Sequence, residues 1–147
     1  MAARSLALLA LAAAALLADG ITADGVLRMA NRQRARAGVP ALRHSLPLAR
    51  AAQAKATDMA RRAYFSHDTP DGRTPWDFIH AEGYQYTAAA ENLAAGQRTI
   101  EALERGWMGS APHRANIRNR AFAETGVGVA SGPDGPVIVQ LFAAPAP

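Results

Sequence analysis

Cysteine is absent from this chain of 147 residues, which removes three kinds of chemistry at once. No disulfide can staple the fold, no thiolate can hold a metal, and no lipid anchor can be built on a cysteine behind an export leader. Any transition-metal site would have to use His, Asp or Glu. Lysine is nearly absent as well: all but one of the 16 basic residues are arginine, and the net charge is +4. Beyond Arg4 the arginines are spread from Arg28 to Arg120, with no run denser than Arg32, Arg34 and Arg36. Alongside abundant alanine this is the composition of a GC-rich genome rather than of a nucleic-acid surface, so no nucleic-acid partner is expected. There is no internal repeat, no long linker and no pair of histidines one helical turn apart. Ser66 and Ser110 each lie within three residues of a His, but neither sits in a nucleophile-elbow sequence.

Residues 1–23 read as an export leader. Arg4 precedes an uninterrupted apolar stretch from Leu6 to Ala18, too short for a membrane-spanning helix, and Asp19-Gly20 follows. Ala18 and Ala23 each suit the last position of a cleaved leader, although Leu16 or Ile21 then lies where a small residue is preferred. The expected location is secreted, periplasmic or in the cell envelope, with residual membrane anchoring if the leader stays. Residues 24–147 form one domain, half of the chain's residues are hydrophobic, and that is enough for a core without disulfides.

The first helix is expected over Asp24 to Ala37, ahead of Gly38 and Pro40. A second starts at Pro47, with Leu48, Ala52, Met59 and Ala63 on one face and Arg50, Asp58, Arg61 and Arg62 on the other. Thr74-Pro75-Trp76-Asp77 is a capping signature for a third helix ending at Gly83. Tyr84 to Ala90 suits an extended segment, a fourth helix opens near Thr99, and Ser110 can cap a short fifth helix with Pro112 and His113 in its first turn. Residues 125–130 and 137–142 read as strands joined by a loop over 131–136. Helices first and a strand pair last argue for an α+β domain, an antiparallel sheet covered by helices.

Two imidazoles and one carboxylate stand in short segments rich in turn and cap residues. His67, after Tyr64-Phe65-Ser66, is either a structural residue at the end of the second helix or a ligand at the edge of the core. His113 sits at a helix start, where the helix dipole favours a neutral, ligand-competent ring; the plainer alternative is a hydrogen bond to nearby backbone. Glu91, between Ala88–Ala90 and Leu93–Ala95, either points to solvent from a loop or is partly buried with a partner. His44 and His80 read as solvated, and Trp76 and Trp107 as core.

The segments Tyr64-Phe65-Ser66-His67-Asp68-Thr69-Pro70-Asp71-Gly72-Arg73, Ala90-Glu91-Asn92-Leu93-Ala94-Ala95-Gly96 and Gly106-Trp107-Met108, leading into Ser110-Ala111-Pro112-His113-Arg114-Ala115-Asn116-Ile117, resemble the bacterial branch of the CAP superfamily. This superfamily, also called the SCP domain, groups cysteine-rich secretory proteins, antigen 5 and plant pathogenesis-related proteins. Leu27 to Gly38 and Glu124 to Ala130 fit the same pattern, and the match runs in order over residues 24–142. The resemblance implies a secreted three-layer α-β-α sandwich with a small antiparallel sheet between helices and a cleft lined by two His and two Glu. In some members that cleft binds zinc or another divalent ion. Carried over by position, His67, His113 and Glu91 are present, and the second acidic position falls on Ser110. Glu124 is the candidate replacement.

These observations point to an exported, monomeric binding module whose His- and Glu-lined cleft holds a divalent metal, zinc first. The partner would be a cell-envelope polymer, a lipid or a protein. One alternative is a metal-assisted hydrolase of peptide or cell-wall polymer with Glu91 as general base beside His67 and His113. Another is a lipid- or sterol-binding protein using an apolar groove at Trp76, Phe78, Ile79 and the neighbouring tyrosines. For those aromatics, core packing is the simpler expectation.

Overall fold

Among the described residues, four strands form one sheet in the order β1 (Arg43–His44), β3 (Glu124–Gly132), β4 (Gly135–Pro145), β2 (Tyr86–Ala95), and five helices cover its two faces. The computed structural model describes residues 20–147, so the expected leader lies almost wholly outside the described residues. Ile21 is buried in the core and Thr22 caps the first helix, so the folded unit includes residues ahead of Asp24.

Strand β4 shows why the molecule has three layers. Its Val137, Val139, Leu141 and Ala143 face one way, and Ile138 and Phe142 face the other. The first set packs on α2 (Leu46–Arg62) and α3 (Pro75–Ala81). The second packs on α1 (Ala23–Arg36), α4 (Ile100–Met108) and α5 (Ala111–Arg118). A strand apolar on both faces needs cover on both sides, and the result is the expected α-β-α sandwich.

Short-range signals set the helix starts. Thr74 and Asp77 form a reciprocal capping box, and Ser45 and Thr99 accept from backbone N–H groups three residues on. Helix α2 ends one residue earlier than its apolar pattern suggests. Ala63 takes a left-handed conformation (φ 52°, ψ 47°) and is exposed, so it stops the helix instead of extending its buried face. Helix α3 stops at Ala81, short of Gly83.

Three features depart from the expected strands. The sheet is mixed, because β1 runs parallel to β3; the Asn31 side chain clamps both the N–H and the C=O of Leu42 and so lays residues 43–44 beside β3. Strand β2 runs on through Glu91 to Ala95, where pairing with Val137–Leu141 overrides the poor strand propensity of alanine. The β3–β4 connection is a two-residue turn at Pro133-Asp134, since Ser131 and Pro136 pair with each other instead of looping out.

Arg34 ties the α1 layer together. It is 1% exposed and donates to the carbonyls of Pro40, Ile117, Asn119 and Phe122 at 2.7–3.0 Å. Two of these carbonyls terminate α5, the helix that carries His113. Arg34→Met is expected to lower the unfolding free energy by about 2–3 kcal/mol in urea titration, because the freed carbonyls near the surface recover some bonds to water. A loss below about 0.5 kcal/mol would mean the guanidinium is not the tie it looks like.

Candidate functional site

The sheet register decides where Glu91 points. Glu91, Leu141 and Gly126 stand opposite one another across three strands, so all three face α2. Glu91 is therefore not a loop carboxylate: its side chain is 1% exposed. Its Oε1 lies 2.7 Å from His67 Nδ1 and its Oε2 3.4 Å from Lys55 Nζ. Lys55 is itself fully buried and also donates to the carbonyl of His67. Burial pushes the Glu91 carboxyl upward, and the charges and hydrogen bonds of Lys55 and His67 pull it back. Burial likewise lowers Lys55, against the opposing pull of Glu91.

The segment that carries His67 is anchored at both ends. Tyr64 donates to Asp58 at 2.6 Å, which together with burial raises the phenol well above its usual range. Thr69 is buried, and its hydroxyl donates to Asp71 at 2.8 Å while accepting from the Arg73 N–H. That bond, with one from Arg62 to the same carboxylate, pulls Asp71 down to about 2. Between these anchors the His67 side chain is 63% exposed. An ionised carboxylate only accepts, so a bond to ionised Glu91 requires a proton on Nδ1 and directs Nε2 away from Glu91. Beside it lies a cavity of about 430 Å³ lined by His67, Asp68, Pro75, Trp76, Ala89, Ala90 and Glu91.

His113 arrives from the opposite layer. It sits in the first turn of α5 against Trp107, ring centroids 6.2 Å apart. An asparagine pair holds this helix to the outer edge of β2: Asn92 donates to the His113 carbonyl at 3.1 Å, and Asn116 donates to Asn92 Oδ1 at 2.8 Å. Burial lowers the His113 pKa, and the nearby His67 lowers it further. His113 is thus within electrostatic reach of His67 but does not line the cavity beside it. His113 Nδ1 is buried without a partner among the described residues, which leaves Nε2 as the nitrogen able to meet a ligand.

The remaining candidates do not join this group. Ser110 occupies the N-cap position of α5, but its side chain makes no capping bond. Glu124 lies two strands across and two residues along from Glu91 in the sheet. Its carboxylate accepts from the Tyr84 hydroxyl at 2.7 Å and lies 3.9 Å from Arg43, so it does not stand in for a second cleft acid. His44 and His80 are exposed, His80 stacked on Tyr86. Phe78, Ile79 and Trp107 are in the core, and Trp76, Tyr84 and Tyr86 pack against it. The aromatics offered for an apolar groove are mostly spent on packing.

Among the described residues, no three His, Asp or Glu side chains form a cluster that could hold a metal ion. Within the expected trio, Glu91 is bonded to His67 through one oxygen and faces Lys55 with the other. Lys55, Asn92 and Asn116 are the site residues to which the sequence reading gave no role.

The sequence profile described as CAP, cysteine-rich secretory protein family, matches residues 27–142. A Bacillus subtilis (strain 168) protein of uncharacterised function, YkwD, is 39% identical over 103 residues, 70% of this chain and 40% of that protein. An extracellular protein containing an SCP domain from Bacillus anthracis superposes with a TM-score of 0.75 at 30% identity, covering 82% of this chain and 39% of that one. This chain thus spans about 40% of the length of these two relatives. An outer surface protein from Borrelia burgdorferi shares the fold at a TM-score of 0.75 and 19% identity, over 82% of this chain and 90% of that one.

Proposed function

Because the chain belongs to the CAP family of cysteine-rich secretory proteins, we propose that it is an exported binding module of the bacterial cell envelope, with His67 and His113 as the ligand-contacting pair of its cleft. The observation that carries the reading is the bond from His67 Nδ1 to the buried Glu91, which leaves Nε2 free beside an open cavity, with His113 nearby. The leader-like pattern of residues 1–23 and the extracellular relative support the export part of this reading. No helix among the described residues is long and apolar enough to cross a membrane.

His67 and His113 would hold a divalent cation through their Nε2 atoms. A bound cation there supplies a Lewis-acidic point for an oxygen or nitrogen donor of the ligand. The fit is that of a weak site. A neutral His113 that ligates through Nε2 must carry its proton on the buried Nδ1, which has no acceptor, and an unsatisfied donor costs about 1–3 kcal/mol. What weighs against the metal-assisted hydrolase is that both Glu91 oxygens are engaged and the side chain is buried, so Glu91 is not open to take a proton from water.

Zinc titration by calorimetry at neutral pH tests the pair. The expected result is one ion per chain, with affinity falling by at least about 100-fold in the His67→Ala/His113→Ala variant and declining below about pH 6 as imidazole protonates. Equal affinity in the two proteins would remove the cation from this cleft.

A further inference from the structure

We infer that Lys55 is a positioning residue of the cleft, holding Glu91 Oε2 and the His67 carbonyl together so that the His67 ring stays in its Nδ1–H form with Nε2 toward the cavity. The inference deepens the reading of His67 as a ligand-contacting residue. Lys55 is the only lysine in the chain, and it is fully buried on α2 with Ala51, Ala52 and Ala56 on the same helix. The slender stem of lysine, ending in a compact ammonium with three donors, suits a path between alanines better than the wide planar fork of arginine.

Its partners also argue for a purpose beyond stability. A buried ion pair recovers little more than its own desolvation, and an apolar pair of similar volume would serve packing as well or better. Lys55, however, bonds to nothing at random. One partner is the carboxylate that fixes the His67 ring, and the other is the backbone of His67 itself. The ammonium thereby fixes ring and backbone in relation to each other, although His67 belongs to an exposed segment.

The test is the tautomer of His67, read by long-range proton–nitrogen NMR on metal-free, tag-free protein near pH 8. In the wild type His67 is expected mainly as Nδ1–H; in Lys55→Met it is expected as a mixture, as in free histidine. His44 and His80, which touch none of these groups, serve as internal controls and should not move. Nε2–H as the main form in the wild type, or an unchanged Nδ1–H form in Lys55→Met, overturns the proposal, as do equal shifts at all histidines. If Lys55→Met does not fold, Lys55→Gln, which removes the ammonium charge but keeps a polar side chain, reads the same equilibrium. Since no metal is present, a failed zinc titration leaves this result standing.

Discussion

Lys55→Met is expected to lower the unfolding free energy by about 3–5 kcal/mol, and adding Glu91→Leu is expected to restore most of the loss. The reasoning rests on burial. Lys55 and Glu91 are 0% and 1% exposed and 3.4 Å apart, so neither can turn to water when its partner is removed. The single variant strands a carboxylate inside the protein, whereas the double variant removes both charges and fills the space with apolar volume. His67 Nδ1 then loses its acceptor, but that ring is largely exposed and water can take over. A double-mutant cycle in urea should give a coupling of about 3 kcal/mol; effects that add within about 0.5 kcal/mol would show the pair to be independent. The pH dependence has a definite sign. Burial raises the folded-state pKa of Glu91 above its unfolded value, so above the unfolded pKa the ionised carboxylate is a cost, and that cost fades as pH falls toward it. The deficit of Lys55→Met relative to wild type should therefore be smaller at pH 5 than at pH 8.

The local part of this architecture was legible in the sequence and the long-range part was not. Thr74-Pro75-Trp76-Asp77 announces its own helix because cap, ring and carboxylate act within four residues. Glu91 is different: whether it faced solvent or a partner depended on a register with Leu141 and Gly126 that no local pattern encodes. The same limit applies to Glu124, whose carboxylate is decided by Tyr84, 40 residues away. Strand β1 is two residues long and is held beside β3 by backbone bonds to Ala123 and Thr125 and by the Asn31 clamp on Leu42, all partners far away in sequence or outside the strand. Lys55 is the instructive miss. Leu48, Ala52, Lys55 and Met59 follow helical spacing, so the period alone places this lysine on the buried stripe. Lysine is almost never fully buried without a partner, so a lone lysine on an apolar face was itself the signal.

Gly128→Ala is expected to destabilise the protein by about 4 kcal/mol or more, and Gly126→Ala by at least as much. Helix α2 lies directly on the backbone of β3 at these two glycines. A Cβ at 126 would stand 2.1 Å from Ala49 N and Leu48 C, and one at 128 would stand 2.4 Å from backbone atoms of Ala52 and Gln53. Backbone atoms of a helix cannot swing aside, so relief requires lifting α2 by about 1 Å or more to reach ordinary contact. Lifting the helix strips apolar contacts from Leu48, Ala52 and Met59, and it also carries Lys55 away from Glu91. Both losses should therefore appear together: a lower urea midpoint, and a His67 tautomer shifted in the same direction as in Lys55→Met. Gly106→Ala provides the contrast. This helical glycine has only the Gln97 amide nitrogen near its missing Cβ, at 3.9 Å, so the substitution should be neutral or stabilising by up to about 1 kcal/mol. If Gly128→Ala behaves like Gly106→Ala, α2 does not rest on the strand, and the alanine face of that helix needs another explanation. If instead it is destabilised while the His67 tautomer stays fixed, helix seating and cleft geometry are separate properties of this fold. The expected outcome joins them, because the helix that needs glycine beneath it is the one that brings the buried lysine to the cleft.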